Sequence, residues 1–266
     1  MIRDITLGQY YPTDSVLHRL DPRVKLCGTL VYVISLFLFQ SFTGYIVATV
    51  FLVSLIIISH VPLSFMLKGL KAIMILLLFT AVLNAFLTPG RELVSFWKFH
   101  ITIEGVRLAA FMVIRLVYLI VGSSILTLTT TPSDLTDGLE KSLGWLKAFS
   151  VPVNEIAMMM SIALTFIPVL LEETDRIIKA QQARGADFDS GNLIKRMKAL
   201  VPILVPLFVS AFRRANDLAL AMESRCYRGG DGRTKLYPLA YKTRDAVSYA
   251  ILFIYLAAIV TAGILF

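Results

Sequence analysis

The stretch "IAMMMSIALTFIPVLLEETDRIIKAQQARG" at residues 156–185 decides how this chain is arranged. Its first part, Ile156–Leu171, has 16 uncharged residues, which is about 24 Å of helix. Glu172, Glu173 and Asp175 follow at once, and each charge at bilayer depth costs roughly 2.5–3.5 kcal/mol. The stretch therefore predicts one long helix that begins against lipid or protein, ends in water and does not cross the membrane.

A second stretch repeats this design further along the chain. Ala199–Phe212 has 14 uncharged residues, contains prolines as the first apolar half does, and leads into a charged half. Each stretch then has an arginine close to glycines that stop a helix. These are Arg184 before Gly185 and Arg225 before Gly229–Gly230. We interpret the two stretches as a weak internal repeat and predict two long helices.

Small residues in both stretches predict that the two long helices pack closely. Ala211, Ala215 and Ala219 recur every four residues in the second stretch, and Ala157 and Ser161 do so in the first. Small side chains at this spacing let two helix backbones approach each other. We therefore expect the helices to cross and to splay their arginine ends along one face of the membrane.

The rest of the chain has the composition of a membrane protein. Hydrophobic residues make up 57% of its 266 residues and charged residues 17%, whereas a soluble domain has about 25% charged residues. Five stretches approach the roughly 20 apolar residues that a transmembrane helix needs. They are Val24–Phe39, Tyr45–His60, Ala72–Leu87, Gly105–Thr130 and Ala246–Phe266. The sequence thus predicts an all-α integral membrane protein with five transmembrane helices.

Basic residues predict the orientation of these helices. They precede the first predicted span, separate the second from the third, and precede the last; they include Arg3, Arg19, Arg23, Lys25, Lys68, Lys71, Arg228, Arg233, Lys235, Lys242 and Arg244. Cytoplasmic loops carry such an excess of lysine and arginine. We therefore expect a plasma-membrane protein whose N-terminus and two arginine ends are cytoplasmic and whose C-terminus is outside.

The segment "TPSDLTDGLEKSLGWLKAF" at 131–149 connects the two parts of the chain. Thr131 has the side chain of a helix N-cap, and Pro132 and Asp134 are residues favoured in a first turn. A short amphipathic helix at the membrane surface is therefore predicted here. The expected division is transmembrane helices over 1–130, a cytoplasmic region over 131–242 and a last transmembrane helix over 243–266.

Arg184 and Arg225 are the candidate functional residues, and each has two interpretations. A cation near a helix C-terminus is stabilised by the helix dipole by about 0.3–1 kcal/mol, so both residues are explained as ordinary helix ends. Alternatively, a guanidinium at an exposed helix end suits bidentate binding of a partner's carboxylate. Because the two arginines occupy similar places in similar helices, the sequence favours binding.

Two further arginines fall inside the fourth predicted span. Arg107 is near its outer end, where a long side chain reaches the interface. Arg115 is about two turns further on, and a charge at that depth is a functional candidate by default. No acidic residue in another span is an obvious partner for it. A hydrogen-bonded arginine within the bundle is the simpler interpretation, and the sequence leaves both open.

Several other functions lack the residues they would need. His18, His60 and His100 are scattered and lack metal-binding spacing. The acidic pairs Asp134/Asp137 and Asp187/Asp189 lie beside predicted helix starts, where capping is their usual role. Cys27 lies at the start of a predicted span and Cys226 at a predicted cytoplasmic helix end, so we expect them to be reduced and unpaired. No nucleic-acid motif and no phosphate-binding loop occurs, so any ATP that drives this protein is bound by another chain.

Three motifs together resemble one family. "SVLHRLDPRVKL" at 15–26 is similar to the sequence that precedes the first transmembrane helix in the T component of energy-coupling-factor transporters. "QQARG" at 181–185 resembles the first Ala-Arg-Gly motif of that family, and "AMESRCYRGGDGRT" at 221–234 resembles the second. The second motif departs from the pattern, because Ser224-Arg225-Cys226 stands where Ala-Arg-Gly is usual. This change keeps the cation and puts in doubt only how closely the backbone approaches a partner.

The resemblance implies the function of these motifs. It implies that Ala183-Arg184-Gly185 and Ser224-Arg225-Cys226 each bind one of two ABC-type ATPase subunits, expected to be a heterodimer. A separate, small substrate-binding membrane subunit would pack on the apolar face of this chain, and ATP-driven motion would reorient it during uptake of a vitamin or metal ion. The chain itself would have no catalytic residue, no cofactor and no metal site.

Three other functions remain as rivals. A permease half of a conventional ABC importer would have one coupling loop and a polar substrate path. A membrane-embedded transferase could use Asp134 and Asp137 for metal-dependent chemistry on lipids. A secondary transporter would show interrupted helices in matched inverted halves, which this sequence lacks. The sequence does not identify the substrate, because in the family that it resembles another chain selects it.

Overall fold

The computed structural model describes residues 10–39, 41–89, 91–96, 99–186, 193–229 and 238–265. These residues form an almost entirely helical protein, which confirms the predicted all-α class of integral membrane protein. A 3-10 helix over Gly144–Phe149 joins α5 to α6, and the strands β1 (Glu92–Phe96) and β2 (Phe99–Thr102) lie between α3 and α4. The helices are α1 (Pro22–Leu38), α2 (Phe42–Ser59), α3 (Leu63–Leu87), α4 (Ile103–Thr129), α5 (Pro132–Ser142), α6 (Val153–Ala183), α7 (Leu193–Ser224) and α8 (Thr243–Leu265).

The chain divides into two compact units. One consists of Gly8–Lys141 with Leu239–Phe266, and we call it the bundle unit. In the bundle unit α4 packs on α1, α2 and α3, and α8 packs on α1 and α2. The other unit includes Ser142–Pro238, and we call it the long-helix unit because it contains α6 and α7.

The start of α1 follows from the acidic motif that precedes it. Asp21 is the N-cap, and its Oδ1 accepts a hydrogen bond of 2.9 Å from the Arg23 backbone N–H. Pro22 occupies the first helical position, where its missing N–H is not needed. The Ser41 hydroxyl caps α2 by accepting from the Gly44 N–H at 3.4 Å. Helix α2 begins at Phe42, soon after α1 ends at Leu38, and Gln40 between them lies outside the described residues.

Helix α3 begins earlier than the sequence predicts. Its predicted span starts at Ala72 and places Lys68 and Lys71 in a loop, whereas the structure starts the helix at Leu63. The helix has two segments, Leu63–Lys71 and Ile73–Phe86, which are bent by 62° relative to each other. Lysine has a high helix propensity, so the two lysines do not end the helix, although their charges mark where its apolar part begins.

The connection between α3 and α4 is a β-hairpin, which the all-helical prediction missed. Strands β1 and β2 are antiparallel, and the pairing shifts register between Glu92 and Val94. Residues rich in phenylalanine, valine and isoleucine favour strands, but this segment is too short for its alternation to be distinguished from a loop. The Thr102 hydroxyl then caps α4 by accepting from the Gly105 N–H at 3.0 Å.

The core of the bundle unit is built around aromatic side chains. Tyr45 stacks on Phe111 with ring centroids 5.0 Å apart, and Phe51 stacks on Tyr255 at 4.0 Å. Tyr32 lies directly over Gly122, where a Cβ atom on that glycine would overlap the tyrosine ring. Aromatic stacking of this kind contributes about 0.5–1.5 kcal/mol beyond the area that it buries. These contacts hold α1, α2, α4 and α8 together.

Length and composition alone do not decide which helices cross the membrane. The helices long and apolar enough to do so among the described residues are α2, α4, α6, α8 and the Met197–Ser224 part of α7. Helix α1 has only 17 residues. The sequence predicts that the bundle helices cross the membrane. It predicts that α6 and α7 do not, because the second half of each of these two helices is charged. That distinction remains a prediction based on charge.

Candidate functional site at the ends of α6 and α7

Helix α6 ends in a turn that its sequence specifies. Arg184 is the C-cap, and Gly185 follows with φ of +86°, a left-handed conformation that glycine adopts easily. The Gly185 N–H donates to Gln182 O at 2.9 Å, and the Ala186 N–H donates to Gln181 O at 3.0 Å. These two bonds define a Schellman motif, which satisfies carbonyls that the helix end would otherwise leave unpaired. Gly185 was therefore predicted correctly as the stop.

Helix α7 ends in the same turn with a different residue. Arg225 follows the last helical residue, and Cys226 adopts a left-handed φ of +58°. The Cys226 N–H donates to Glu223 O at 2.9 Å, and the Tyr227 N–H donates to Met222 O at 3.0 Å. Our expectation that Gly229–Gly230 stops this helix is wrong. The hydrogen bonds of the Schellman motif outweigh the preference of the left-handed region for glycine.

The two arginine ends are exposed and available for contact. Ala183, Arg184 and Gly185 at the end of α6 are exposed, and so are Ser224, Arg225 and Cys226 at the end of α7. Within the described part of the chain, neither guanidinium has an ion pair or a hydrogen bond. Each cation lies beside the partly negative C-terminus of its helix, which stabilises the charge where it is. The structure thus presents two exposed positive helix ends whose guanidinium donors bind none of the described residues.

The packing of α6 on α7 directs these ends apart. Gln181 Nε2 donates to Pro202 O at 3.3 Å, and Arg214 Nη2 lies 3.7 Å from Glu173 Oε2. A residue late in α6 therefore meets a residue early in α7, so the helices are antiparallel and their C-termini lie at opposite ends of the pair. Arg225 lies roughly 35 Å along the α7 axis from the level of Pro202, at 1.5 Å per residue.

The small residues expected between these helices differ in burial. Ala215, Ala219 and Ser161 are exposed, whereas Ala157 is buried and Ala211 is half-buried. Polar contacts join the helices through Glu173 and Arg214, and through Gln181 at the level of Pro202. The small residues indicate a close approach of helices in general, but they do not determine which partner helix comes close.

Helix α7 also presents an apolar face that the sequence analysis did not select. Its residues recur every three or four positions, so they form one stripe along the helix. All of these side chains are exposed, and we call them the α7 apolar stripe: Met197, Leu200, Val201, Leu204, Val205, Phe208, Val209 and Phe212. Helical periodicity in the sequence predicts such a stripe. Only the structure shows that neither α6 nor the rest of this unit covers it.

Arg115, which the sequence left open, is hydrogen-bonded within the bundle. Its Nη2 donates to Phe39 O at 3.2 Å, and its guanidinium lies 5.5 Å from the centre of the Phe37 ring. Phe39 is the C-cap of α1, so Arg115 satisfies a carbonyl that this helix end leaves free. The structural interpretation of Arg115 is therefore confirmed.

The residues considered for metal binding have other roles or lie outside the description. Within the described ranges, no group of three histidine, cysteine or acidic side chains could hold a metal ion. The Asp134 backbone N–H donates to the Thr131 hydroxyl at 3.1 Å, which confirms Thr131 as the N-cap of α5. His60 is the C-cap of α2. Asp187 and Asp189 lie outside the described residues.

Fold and sequence together define an all-helical integral membrane protein with two exposed arginine helix ends. Residues 13–236 match the family described as CbiQ, cobalt transport protein. Three similar proteins are each described as the energy-coupling factor transporter transmembrane protein EcfT. They come from Clostridium kluyveri (57% identity, 93% of each chain), Thermosediminibacter oceani (51%, covering 93% of this chain and 94% of the relative) and Lactococcus lactis (44%, covering 92% and 93%).

The chain belongs to this family of transmembrane components of energy-coupling-factor transporters. The resemblance inferred from the three motifs is therefore confirmed. Membership establishes a multi-pass membrane protein that is the transmembrane component of a transporter complex.

Proposed function

We propose that this chain couples two ATPase subunits to a substrate-binding membrane subunit during import of a vitamin or metal ion. In this proposal Arg184 and Arg225 are anchors, each binding a carboxylate in one of two ABC-type ATPases. ATP-driven closure of the ATPase pair moves α6 and α7, and these helices reorient the substrate-binding subunit. The chain has no catalytic role of its own.

The observation that carries the proposal is the equivalence of the two helix ends. Each has an arginine at the C-cap, the same pair of backbone hydrogen bonds and a left-handed residue at the next position. These hydrogen bonds fix the backbone at each arginine, while the guanidinium itself is exposed. This arrangement favours a bidentate contact with a carboxylate. Two such ends, directed apart by antiparallel helices, fit two equivalent partner subunits.

The α7 apolar stripe supports the second part of the proposal. Soluble proteins rarely expose a continuous apolar surface of this kind, and such surfaces mark contacts with proteins or lipid. Because the stripe belongs to the same helix as Arg225, motion of an ATPase at the helix end would be transmitted directly to a membrane protein packed on the stripe. Orientation follows the basic residues, with the N-terminus and both arginine ends in the cytoplasm and the C-terminus outside.

The test replaces both anchors and measures assembly and transport. We expect Arg184→Ala with Arg225→Ala to abolish co-purification of the ATPase subunits in mild detergent and to stop ATP-dependent uptake. Each charge-assisted contact is worth about 1.5–3 kcal/mol, so each loss weakens binding by roughly tenfold or more. The substrate-binding subunit should still co-purify, since the α7 apolar stripe is unchanged.

The control variant removes two arginines from the same helices at other positions. Arg176 and Arg213 are exposed and lie one or more turns before the helix ends. Arg176→Ala with Arg213→Ala should leave assembly and uptake close to the wild type. Normal assembly and normal uptake by the Arg184 and Arg225 double variant would contradict the anchor assignment.

A further inference from the structure

The bundle unit contains a large apolar cavity that the proposed function does not use. It has a volume of about 730 Å³, within the range of roughly 300–1,000 Å³ for ligand sites. Helices α1, α2, α4 and α8 form its walls, and most of the lining side chains are aliphatic or aromatic. The two tyrosines that line it are Tyr32 and Tyr255, which belong to the aromatic core.

The shape of the cavity suits a hydrocarbon chain. Its lining follows α8 from Thr243 to Ala258, a length of roughly 22 Å at the helical rise. The hydrocarbon of one membrane leaflet is about 15 Å thick, so a single acyl chain fits along this length. Ile46, Val50 and Ile254 line the cavity and are 50%, 62% and 66% exposed. The cavity therefore opens sideways through apolar residues, the direction from which a lipid chain enters.

One end of the cavity contains a buried cation that forms no ion pair with the described residues. Lys25 lines the cavity and is only 8% exposed. Its Nζ donates to Thr129 O at 2.8 Å and to His18 O at 3.2 Å, which uses two of its three donors. Within the described residues, no carboxylate lies within 4.0 Å of this Nζ. The charges of Asp134 and Asp21 act on Lys25 only from beyond this distance. Buried charges in proteins are normally paired, and this lysine has no ion-pair contact among the described residues.

A second cation lies at the same end. Arg244 also lines the cavity and has no ion pair among the described residues. The Asp21 backbone N–H donates to Asp245 Oδ1 at 2.9 Å, which holds the starts of α1 and α8 together and brings Lys25 and Arg244 to one end.

The neighbouring carboxylates are already engaged. Asp21 binds the side chain of Arg23 through both of its oxygens, at 3.0 and 2.8 Å. The second oxygen of Asp245 accepts from the Lys242 N–H at 2.8 Å. Neither of these two carboxylates forms an ion pair with Lys25 or Arg244, and Asp134 acts on Lys25 only from beyond 4.0 Å, so both cations can bind an external anion.

We propose that this cavity binds an anionic phospholipid. One acyl chain lies between α1, α2 and α8, and the headgroup phosphate lies at the end formed by Lys25 and Arg244, where it supplies a negative charge. Anionic lipids are attracted to basic residues at the membrane surface, and this site adds a hydrophobic slot directly below them. A zwitterionic lipid carries no net charge and binds more weakly.

The test uses native mass spectrometry of the purified full chain. The protein is stripped of lipid in detergent and titrated separately with dioleoyl-phosphatidylglycerol and with dioleoyl-phosphatidylcholine. We expect one phosphatidylglycerol to be retained and phosphatidylcholine to bind at least about tenfold more weakly. Arg244→Gln should weaken phosphatidylglycerol binding by roughly the same factor. Lys71→Gln, which removes an exposed cation outside the cavity, should not.

A second pair of variants tests the hydrophobic slot. Gly28 lines the cavity, and a Cβ atom on it would meet only Leu252, at an ordinary van der Waals distance of 3.9 Å, so Gly28→Leu adds a side chain to the slot. We expect this variant to lose bound phosphatidylglycerol. Gly263→Leu is the matched control, because Gly263 is also helical and uncrowded but does not line the cavity.

Three results would overturn the proposal. Equal retention of the two lipids would show that charge does not select the occupant. Unchanged binding by Arg244→Gln and Gly28→Leu would show that the lipid lies elsewhere. An equal loss of phosphatidylglycerol binding in Lys71→Gln and Arg244→Gln would show that the lipid is attracted to the basic surface in general and is not bound at this site. Circular dichroism of each variant would verify that the helices are intact.

Discussion

Cys226 takes the position in α7 that Gly185 takes in α6. Both residues have a positive φ, +58° for Cys226 and +86° for Gly185. A left-handed conformation costs a residue with a Cβ atom about 1–2 kcal/mol, whereas glycine adopts it readily. At the end of α7 the hydrogen bonds therefore have to offset the conformational free energy of a left-handed cysteine. The end of α6 has a glycine at this position and does not have this cost.

This difference predicts opposite effects of two substitutions. Cys226→Gly should stabilise the end of α7 by about 1 kcal/mol, because it removes the cost of the left-handed cysteine. Gly185→Ala should destabilise the end of α6 by a similar amount, since the site is sterically open and only the backbone changes. Hydrogen–deuterium exchange of the Ala186 and Tyr227 amides measures both effects. A change of the same sign in both variants would refute the equivalence of the two ends.

His18 shows how the motif before α1 is held together. Its Nε2 lies 3.0 Å from Tyr11 O and its Nδ1 lies 2.7 Å from the Ser15 hydroxyl. This pattern fits a neutral imidazole in which Nε2 donates and Nδ1 accepts. Desolvation by burial lowers the pKa of His18 and outweighs the opposing effect of the hydrogen bond to Tyr11.

The lowered pKa of His18 predicts that acid destabilises the protein. An unfolded histidine has a pKa of about 6.5, so below this pH the unfolded chain binds more protons than the folded chain. Stability therefore falls as the pH drops through this range and levels off below the folded-state pKa. The thermal unfolding midpoint should fall between about pH 7 and pH 5.5, and His18→Gln should reduce that fall. An equal fall in both proteins would show that another group titrates.

At the scale of elements, α1 depends on α4 for its C-terminal end. The Arg115 side chain reaches from α4 to Phe39 O, and Phe39 itself is almost fully buried. Water does not reach such a carbonyl within a bilayer, so a side chain must satisfy it. The arginine is thus a structural part of the contact between the two helices.

Removing this hydrogen bond should destabilise the bundle unit. We expect Arg115→Leu to lower the free energy of unfolding by about 1–3 kcal/mol, because it leaves a buried acceptor unpaired. Arg115→Lys keeps a donor and should lose less stability. Unfolding in detergent by denaturant, followed by the loss of helical circular dichroism, measures the difference. Equal stability of the leucine variant and the wild type would show that the bond is not needed.

The sequence predicted some elements better than others, for physical reasons. Helices α1, α2, α4 and α8 are mostly apolar, and apolar stretches of this length must be helical to cross a membrane. The start of α3 was missed because lysine is compatible with helix, so a change in charge does not mark a change in structure. The β-hairpin was missed because its strands are only five and four residues long.

At the scale of the whole molecule, features that depend on neighbouring residues were easier to predict than features that depend on distant ones. The two arginine ends were found from short motifs, because a helix stop is determined by neighbouring residues. The partner of Arg115, the polar contacts between α6 and α7 and the apolar cavity depend on residues far apart in sequence. Their positions follow from packing, which periodicity alone does not determine.

The proposed orientation can be tested with the cysteines that the chain already has. Cys226 is exposed at the end of α7, and replacing Cys27 by serine leaves it as the single thiol. A membrane-impermeant maleimide should label Cys226 in inside-out vesicles and not in intact cells. Labelling in intact cells would place the arginine ends outside and refute both the orientation and the proposed contact with cytoplasmic ATPases.

The antiparallel pairing of α6 and α7 makes the two arginine ends mechanically unequal. Arg184 lies only three residues beyond Gln181, which contacts α7, whereas Arg225 lies eleven residues beyond Arg214, which contacts α6. Along the helix axis, Arg184 is thus roughly 5 Å and Arg225 roughly 16 Å from the nearer of these polar contacts. A helix end close to such a contact transmits force with little bending, while an end further from it bends more under the same load. Two ATPase subunits that push equally on this pair would therefore move the end with Arg184 as a rigid body and deform the end with Arg225.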